Sequence, residues 1–283
     1  MTQPLPFLST LLGAERPLIM EVKARDAQGG NLLRGRAPGD LAAAYERSGA
    51  PCVSVVTGRW FGGSAAMLTE VTTRVRVPVL LKDFVTRRDQ IAAAASAGAS
   101  AVLLTAALLP PESLHGLARE CQEYGLTPFV EITRAEEAVG LPDPHRCVIA
   151  VNNKNIAARE RDAGDLDRSR ALLPAVRAAG TLCPVSAGAV SGPEVAAGLL
   201  AEGYAALLVG TALLRAPSVE AWLREFDACR ARAVVPETIP VPATASVPPS
   251  VTVPAGPAPA PPPTLEEPLL PAGPVAEAEG APV

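Results

Sequence analysis

The sequence predicts an α/β protein of the (β/α)8 TIM-barrel class with a disordered proline-rich C-terminal tail. Three observations predict it. Eight short runs rich in Val, Ile and Leu recur along residues 1 to 232. Between them lie longer stretches with amphipathic helical spacing, several of which stop at a glycine, the usual helix terminator (Gly98, Gly125, Gly180, Gly203). After Arg232 the composition changes abruptly.

In chain order the predicted strands are Leu18–Glu21, Cys52–Val56, Val77–Leu81, Ala101–Leu104, Thr127–Ile132, Cys147–Val151, Leu182–Val185 and Ala206–Val209. Predicted helices include Asp40–Gly49, Arg87–Ala97, Pro111–Tyr124, Asp167–Ala179, Pro193–Glu202 and Val219–Arg232. Continuous apolar strands alternating with helices imply a parallel sheet covered on both faces. Eight such units in roughly 215 residues suit a closed barrel. An open doubly wound sheet is the alternative, but it would usually carry a glycine-rich phosphate loop after the first strand. Lys23-Ala24-Arg25-Asp26 stands there instead. The uncharged segment from Ile91 to Leu109 is just long enough to span a bilayer. It is rich in Ala, Ser and Gly and is split by Gly98, so it reads as a helix end followed by a buried strand.

Composition supports one large core: 48% of residues are hydrophobic and 19% charged. With only 4% aromatics, that core must be built from Ala, Val and Leu. A formal charge of -4 is too small to argue for a nucleic acid or a membrane surface as partner. The five cysteines are scattered singly, which fits reduced, buried thiols in a cytoplasmic protein and neither a disulfide framework nor a metal site. No basic stretch followed by an apolar run opens the chain, so no signal peptide is expected. The expected domains are a catalytic barrel over 1–232 and an acidic tail over 233–283. From Val235 onward there are fifteen of the thirty prolines, five Glu and no Lys or Arg. Such a segment cannot build a packed core and is expected to be extended. Its runs, such as Pro261-Pro262-Pro263, could dock into an aromatic groove, although a solvated tail without a specific partner is the favoured reading.

The chemistry shows in what the chain avoids. It has 22 Arg but only three Lys (Lys23, Lys82 and Lys154), each just past the first, third or sixth predicted strand. In a barrel those positions ring the C-terminal mouth, where active sites form. Arg cannot replace Lys as a proton donor, so the three are candidates for acid catalysis or binding. Three of the four asparagines cluster in Asn152-Asn153-Lys154-Asn155, suggesting ligand hydrogen bonds or an Asx turn. Glu21 lies two residues before Lys23, on the same side of a strand. Glu131 ends an apolar run, where a carboxylate is costly unless paired or used; beside Lys82 it would complete an acid–base pair. Ser186-Ala187-Gly188 and Gly210-Thr211 close the seventh and eighth strands, leaving backbone N–H groups open for a phosphate. His115 and His145 lie away from the mouth, and no metal-ligand cluster is expected.

Taken together, Glu21-Val22-Lys23, Trp60-Phe61-Gly62-Gly63-Ser64, Pro78 to Phe84 (with Lys82-Asp83-Phe84), Val130-Glu131 and Val151-Asn152-Asn153 resemble the motifs of indole-3-glycerol-phosphate synthase. They occur in order and at barrel spacing, and the resemblance spans about residues 7 to 226. It implies a cofactor-free decarboxylating ring closure on 1-(2-carboxyphenylamino)-1-deoxyribulose 5-phosphate. It implies Lys82 as the acid for ring closure, Glu131 as its partner, and Glu21 with Lys23 for condensation and dehydration. Asn152 would hold the substrate, Phe84 and Phe61 would pack on its ring, and Gly188, Gly210 and Thr211 would bind its phosphate.

The chain also departs from the family pattern. Asp26-Ala27-Gln28 replaces Ser-Pro-Ser, Lys154 stands where Arg is usual, and Ser186-Ala187-Gly188 replaces Glu-Ser-Gly. Lys154 and Ser186 are expected to contact substrate, and Asp26 to add negative charge beside it. The segment before the first strand is shorter than the family's and is expected to give an incomplete lid. Two other readings stay open: a paralogue acting on a modified or different phosphorylated substrate, and a catalytically weak scaffold barrel.

Overall fold

In the computed structural model, which describes residues 5–156, 158 and 160–234, the eight apolar runs form parallel strands closed into one barrel. They are β1 (Leu18–Val22), β2 (Cys52–Val56), β3 (Val79–Lys82), β4 (Ala101–Thr105), β5 (Thr127–Ile132), β6 (Val148–Asn152), β7 (Cys183–Ala187) and β8 (Ala206–Val209). Each pairs with the next, and β8 returns to β1 through Leu18↔Leu207 and Met20↔Val209.

The helices are α1 (Pro6–Leu12), α2 (Pro38–Arg47), α3 (Ala65–Arg74), α4 (Arg88–Ser96), α5 (Pro111–Glu123), α6 (Asp167–Ala178), α7 (Pro193–Ala201), α8 (Thr211–Arg215) and α9 (Val219–Val234). Proline begins α1, α2, α5 and α7, where its missing N–H has no intrahelical acceptor to lose. The uncharged segment from Ile91 divides between α4 and β4, and among the described residues no helix is long and apolar enough to cross a membrane. α9 runs two residues past the expected boundary at 232, and the tail expected beyond it lies outside the described residues.

The strand period of two sorts the core into two layers. Outward residues such as Met20, Val53, Leu104 and Val130 pack against the helices. Inward residues such as Ile19, Leu80, Phe129, Val148, Val185 and Leu208 fill the barrel. The segment before β1, expected as a shortened lid, does something different. α1 adds Phe7, Leu8 and Leu11 to the inner cluster, with Phe7 edge-on to Phe129 at 6.3 Å and its carbonyl accepting from Cys52 Sγ at 3.7 Å. Cys52 opens β2, so α1 plugs the N-terminal end of the barrel, opposite the mouth. Its apolar residues are spent on that plug.

Candidate active site

The site is the polar layer that continues the inward apolar rows. On β1 the row Ile19 leads to Glu21 and then Lys23; on β3 Leu80 leads to Lys82; on β5 Phe129 leads to Glu131; on β6 Val148 and Ala150 lead to Asn152. Parity therefore fixes these five side chains to the barrel axis, and all of them line a cavity of about 570 Å³ at the C-terminal mouth. Each is buried or nearly so: Glu21, Lys23, Glu131 and Asn152 are 2–8% exposed.

Glu21 is the hub. Its Oε1 lies 3.1 Å from Lys23 Nζ and its Oε2 3.8 Å from Lys82 Nζ. Burial pushes the Glu21 carboxyl up, but Lys23 and then Lys82 outweigh it and hold the group below its ordinary value. Burial pulls the Lys82 ammonium down, yet Glu160, Glu21 and Glu131 overcome that and hold it above its ordinary value. Glu131 behaves in the opposite way to Glu21. Burial raises its carboxyl, the charge of Lys82 only partly offsets this, and Glu160 adds to the rise. Two carboxylates on one site thus have opposite shifts, the pattern that separates acid and base roles. Glu131 lies within electrostatic reach of Lys82 without a direct ion pair among the described residues; the direct partners of that amine, each at 3.8 Å, are Glu21 and Glu160. Glu131 Oε2 and Asn152 Nδ2 are buried and satisfied by no well-formed hydrogen bond among the described residues, Asn152 helping only to hold the Glu131 carboxyl down, so both have capacity for a ligand.

Beside Lys82 and Glu131 opens a slot lined by Trp60, Phe61, Phe84 and Leu103. Two sequence motifs build it. In Lys82-Asp83-Phe84, Asp83 accepts from Thr57 Oγ1 at 2.7 Å and from the Phe84 N–H at 2.8 Å, which fixes the turn that carries the ring. Phe84 then meets Trp60 edge-on at 5.3 Å. In Trp60-Phe61-Gly62-Gly63, a Cβ on Gly63 would lie 2.3 Å from the Val56 carbonyl oxygen, so only glycine lets this loop return against β2. Phe61 lies under Lys23, whose Nζ is 5.3 Å from the ring centroid. Across the mouth, Gly188, Gly210 and Thr211 line the cavity. A Cβ on Gly210 would stand 2.3 Å from Glu21 Oε1, so this glycine makes room for the hub carboxylate.

Several expected residues are engaged in other ways. Ser186 is out of parity with Val185 and Ala187, and it faces the helical layer. Fully buried, it accepts from Asn153 Nδ2 at 3.0 Å and meets Ser169 Oγ at 2.8 Å, so it is placed to brace β7 and not to touch a substrate. Asn153 is equally structural: its Nδ2 also donates to the carbonyls of Ala187 and Gly188, both at 3.1 Å. Lys154 lines the cavity, but its amine donates to the Asp162 carbonyl. Asp26 does not present a bare charge. Its Oδ1 accepts from Gln28 and Gly30 N–H at 3.0 and 2.7 Å, and its Oδ2 pairs with Arg215 at 2.6 Å. Glu160 and Arg215 were not found from the sequence. Glu160 follows no periodicity, and Arg215 is one of 22 arginines.

An acid–base centre of two amines and three carboxylates at the C-terminal mouth of a closed barrel defines a (β/α)8-barrel enzyme. Its family follows from comparison with known proteins. The family model of indole-3-glycerol phosphate synthase matches residues 5–226, and the chain belongs to that family. The chain is 34% identical over 210 residues to indole-3-glycerol phosphate synthase of Thermococcus kodakarensis, covering 74% of this chain and 91% of that protein. It is 36% identical over 208 residues to indole-3-glycerol phosphate synthase 1 of Streptomyces coelicolor, covering 73% and 76% respectively. The synthase of Pyrococcus furiosus is 33% identical over 213 residues, covering 75% and 92%.

Proposed function

We propose that this chain is a decarboxylating, ring-closing lyase of tryptophan biosynthesis. It converts 1-(2-carboxyphenylamino)-1-deoxyribulose 5-phosphate to indole-3-glycerol phosphate, carbon dioxide and water. The observation that carries the reading is the inward row of Glu21, Lys82, Glu131 and Asn152 lying between an aromatic slot and a cradle of small residues. The anilino ring enters the slot against Phe84 and Phe61, and the phosphate end lies at Gly188, Gly210 and Thr211. Lys82, fully protonated and held so by its carboxylates, gives its proton to the ribulose carbonyl oxygen as the ring carbon attacks. Carbon dioxide leaves as the ring regains aromaticity. Glu131 steadies the developing charge, with Asn152 donating to the substrate. Lys23 and Glu21, at 3.1 Å from one another, then assist the departure of hydroxide and the loss of the remaining proton. Five free, buried cysteines support a cytoplasmic setting.

A second reading, a paralogue acting on a modified anilino sugar phosphate, is favoured by one observation. The Lys154 amine, standing where the family usually has arginine, is engaged with the Asp162 backbone carbonyl and lacks the two-pronged fork that arginine offers a carboxylate. Incubating the purified protein with the anilino ribulose phosphate and following indole fluorescence separates the two. Absence of product from wild type removes the first reading, and product that persists in Lys82→Ala removes the mechanism.

A further inference from the structure

We propose that Arg215 is the cation that receives the substrate's phosphate. Four cationic side chains line the cavity: Lys23, Lys82, Lys154 and Arg215. The three lysines are committed. Lys23 lies 3.1 Å from Glu21, Lys82 is 3.8 Å from both Glu21 and Glu160, and Lys154 donates to Asp162. Arg215 uses one Nη2 on Asp26, and its Nε and Nη1 have no partner among the described residues. Its side chain is 54% exposed, whereas those of Lys23 and Lys82 are 10% and 13%. Arg215 therefore has both the open donors and the access that a phosphate dianion needs.

Its position fits the same task. Thr211 and Arg215 are the first and last residues of α8, four apart and so on one face, and both line the cavity together with Gly210. Asp26 holds it there. That carboxylate already accepts two N–H groups on Oδ1, so it is fixed before Arg215 reaches it, and it aims the open edge of the fork without competing for the remaining donors. The aspartate that replaces the family's serine is thus a positioning residue for a phosphate-binding arginine.

The inference rests on the proposed reaction for the identity of the ligand, so its test uses inorganic phosphate and needs no turnover. Calorimetric titration of full-length wild type, at constant ionic strength, should show phosphate binding that weakens about tenfold to a hundredfold in Arg215→Gln, the loss of a charged hydrogen-bond pair. In the fluorescence assay KM should rise by a similar factor with kcat within about twofold, because the contact is far from the reacting carbon. Should Arg215→Gln fold poorly, Arg215→Met keeps the aliphatic stem and carries the same test. Equal phosphate affinity in wild type and a folded variant, or no binding by wild type, overturns the proposal. A wild type that binds phosphate through Arg215 yet makes no indole product would overturn the reaction and leave this site standing.

Discussion

Adding one methyl group at Gly210 should disable the enzyme from a position that carries no side chain of its own. The new Cβ would lie 2.3 Å from Glu21 Oε1, against an ordinary contact of about 3.4 Å, so the carboxylate must retreat by about 1 Å. A retreat of that size is expected to stretch the 3.1 Å pair with Lys23 toward about 4 Å. At an effective dielectric near 20 that attraction falls from about 5 to about 4 kcal/mol. Overpacking of a filled site adds about 1–3 kcal/mol, for a total near 2–4 kcal/mol. At about 3 °C for each kcal/mol, Tm should fall by roughly 6–12 °C. The cost to catalysis is larger, because a 1 Å displacement of a reacting group lowers rates by about a hundredfold. Differential scanning calorimetry reads the first effect and steady-state indole fluorescence the second. A Gly210→Ala enzyme with kcat/KM within about threefold of wild type would refute the assignment of Glu21 as the hub.

Three further outcomes are expected. Glu160→Gln removes the carboxylate 3.8 Å from Lys82 that faces the aromatic slot, where the substrate brings its own negative charge; KM should fall about fivefold, near 1 kcal/mol of relieved repulsion, and an unchanged or higher KM counts against this. Asp26 has its carboxyl raised by burial and lowered further by the Gly30 N–H and Arg215, to a net value below its ordinary 3.8. Its stabilisation is therefore present above that value and lost as pH falls through the depressed one. The Tm gap between wild type and Asp26→Asn should accordingly be open at pH 7 and close in strong acid, and a gap independent of pH would contradict the ion pair. Phe7→Ala empties a fully buried ring position below the barrel and should destabilise by about 3–5 kcal/mol while kcat stays near wild type; urea unfolding and the same assay check both halves.

The barrel was legible because burial on both faces writes a strand as an unbroken apolar run, and the catalytic mouth because lysine and asparagine are so scarce elsewhere. Glu21, Lys82, Glu131 and Asn152 could be placed from strand parity alone. Ser186 shows the cost of setting parity aside: alternation from Cys183 and Val185 to Ala187 already turns it outward. Arg215 and Glu160 were beyond reach for another reason. Their roles come from the return of α8 and the β6–α6 loop over the mouth, contacts that span 189 residues for Asp26 and Arg215 and that no local pattern encodes. The plug made by α1 was not legible because a short apolar helix carries no mark of which end of a barrel it closes.

That stopper has a kinetic meaning. With Phe7 and Leu11 packed into the floor, the cavity among the described residues opens at the C-terminal mouth, so carbon dioxide, water and the finished indole depart by the side on which the sugar arrived. Turnover is then a matter of traffic: a new substrate reaches the mouth only after the previous occupant has cleared it.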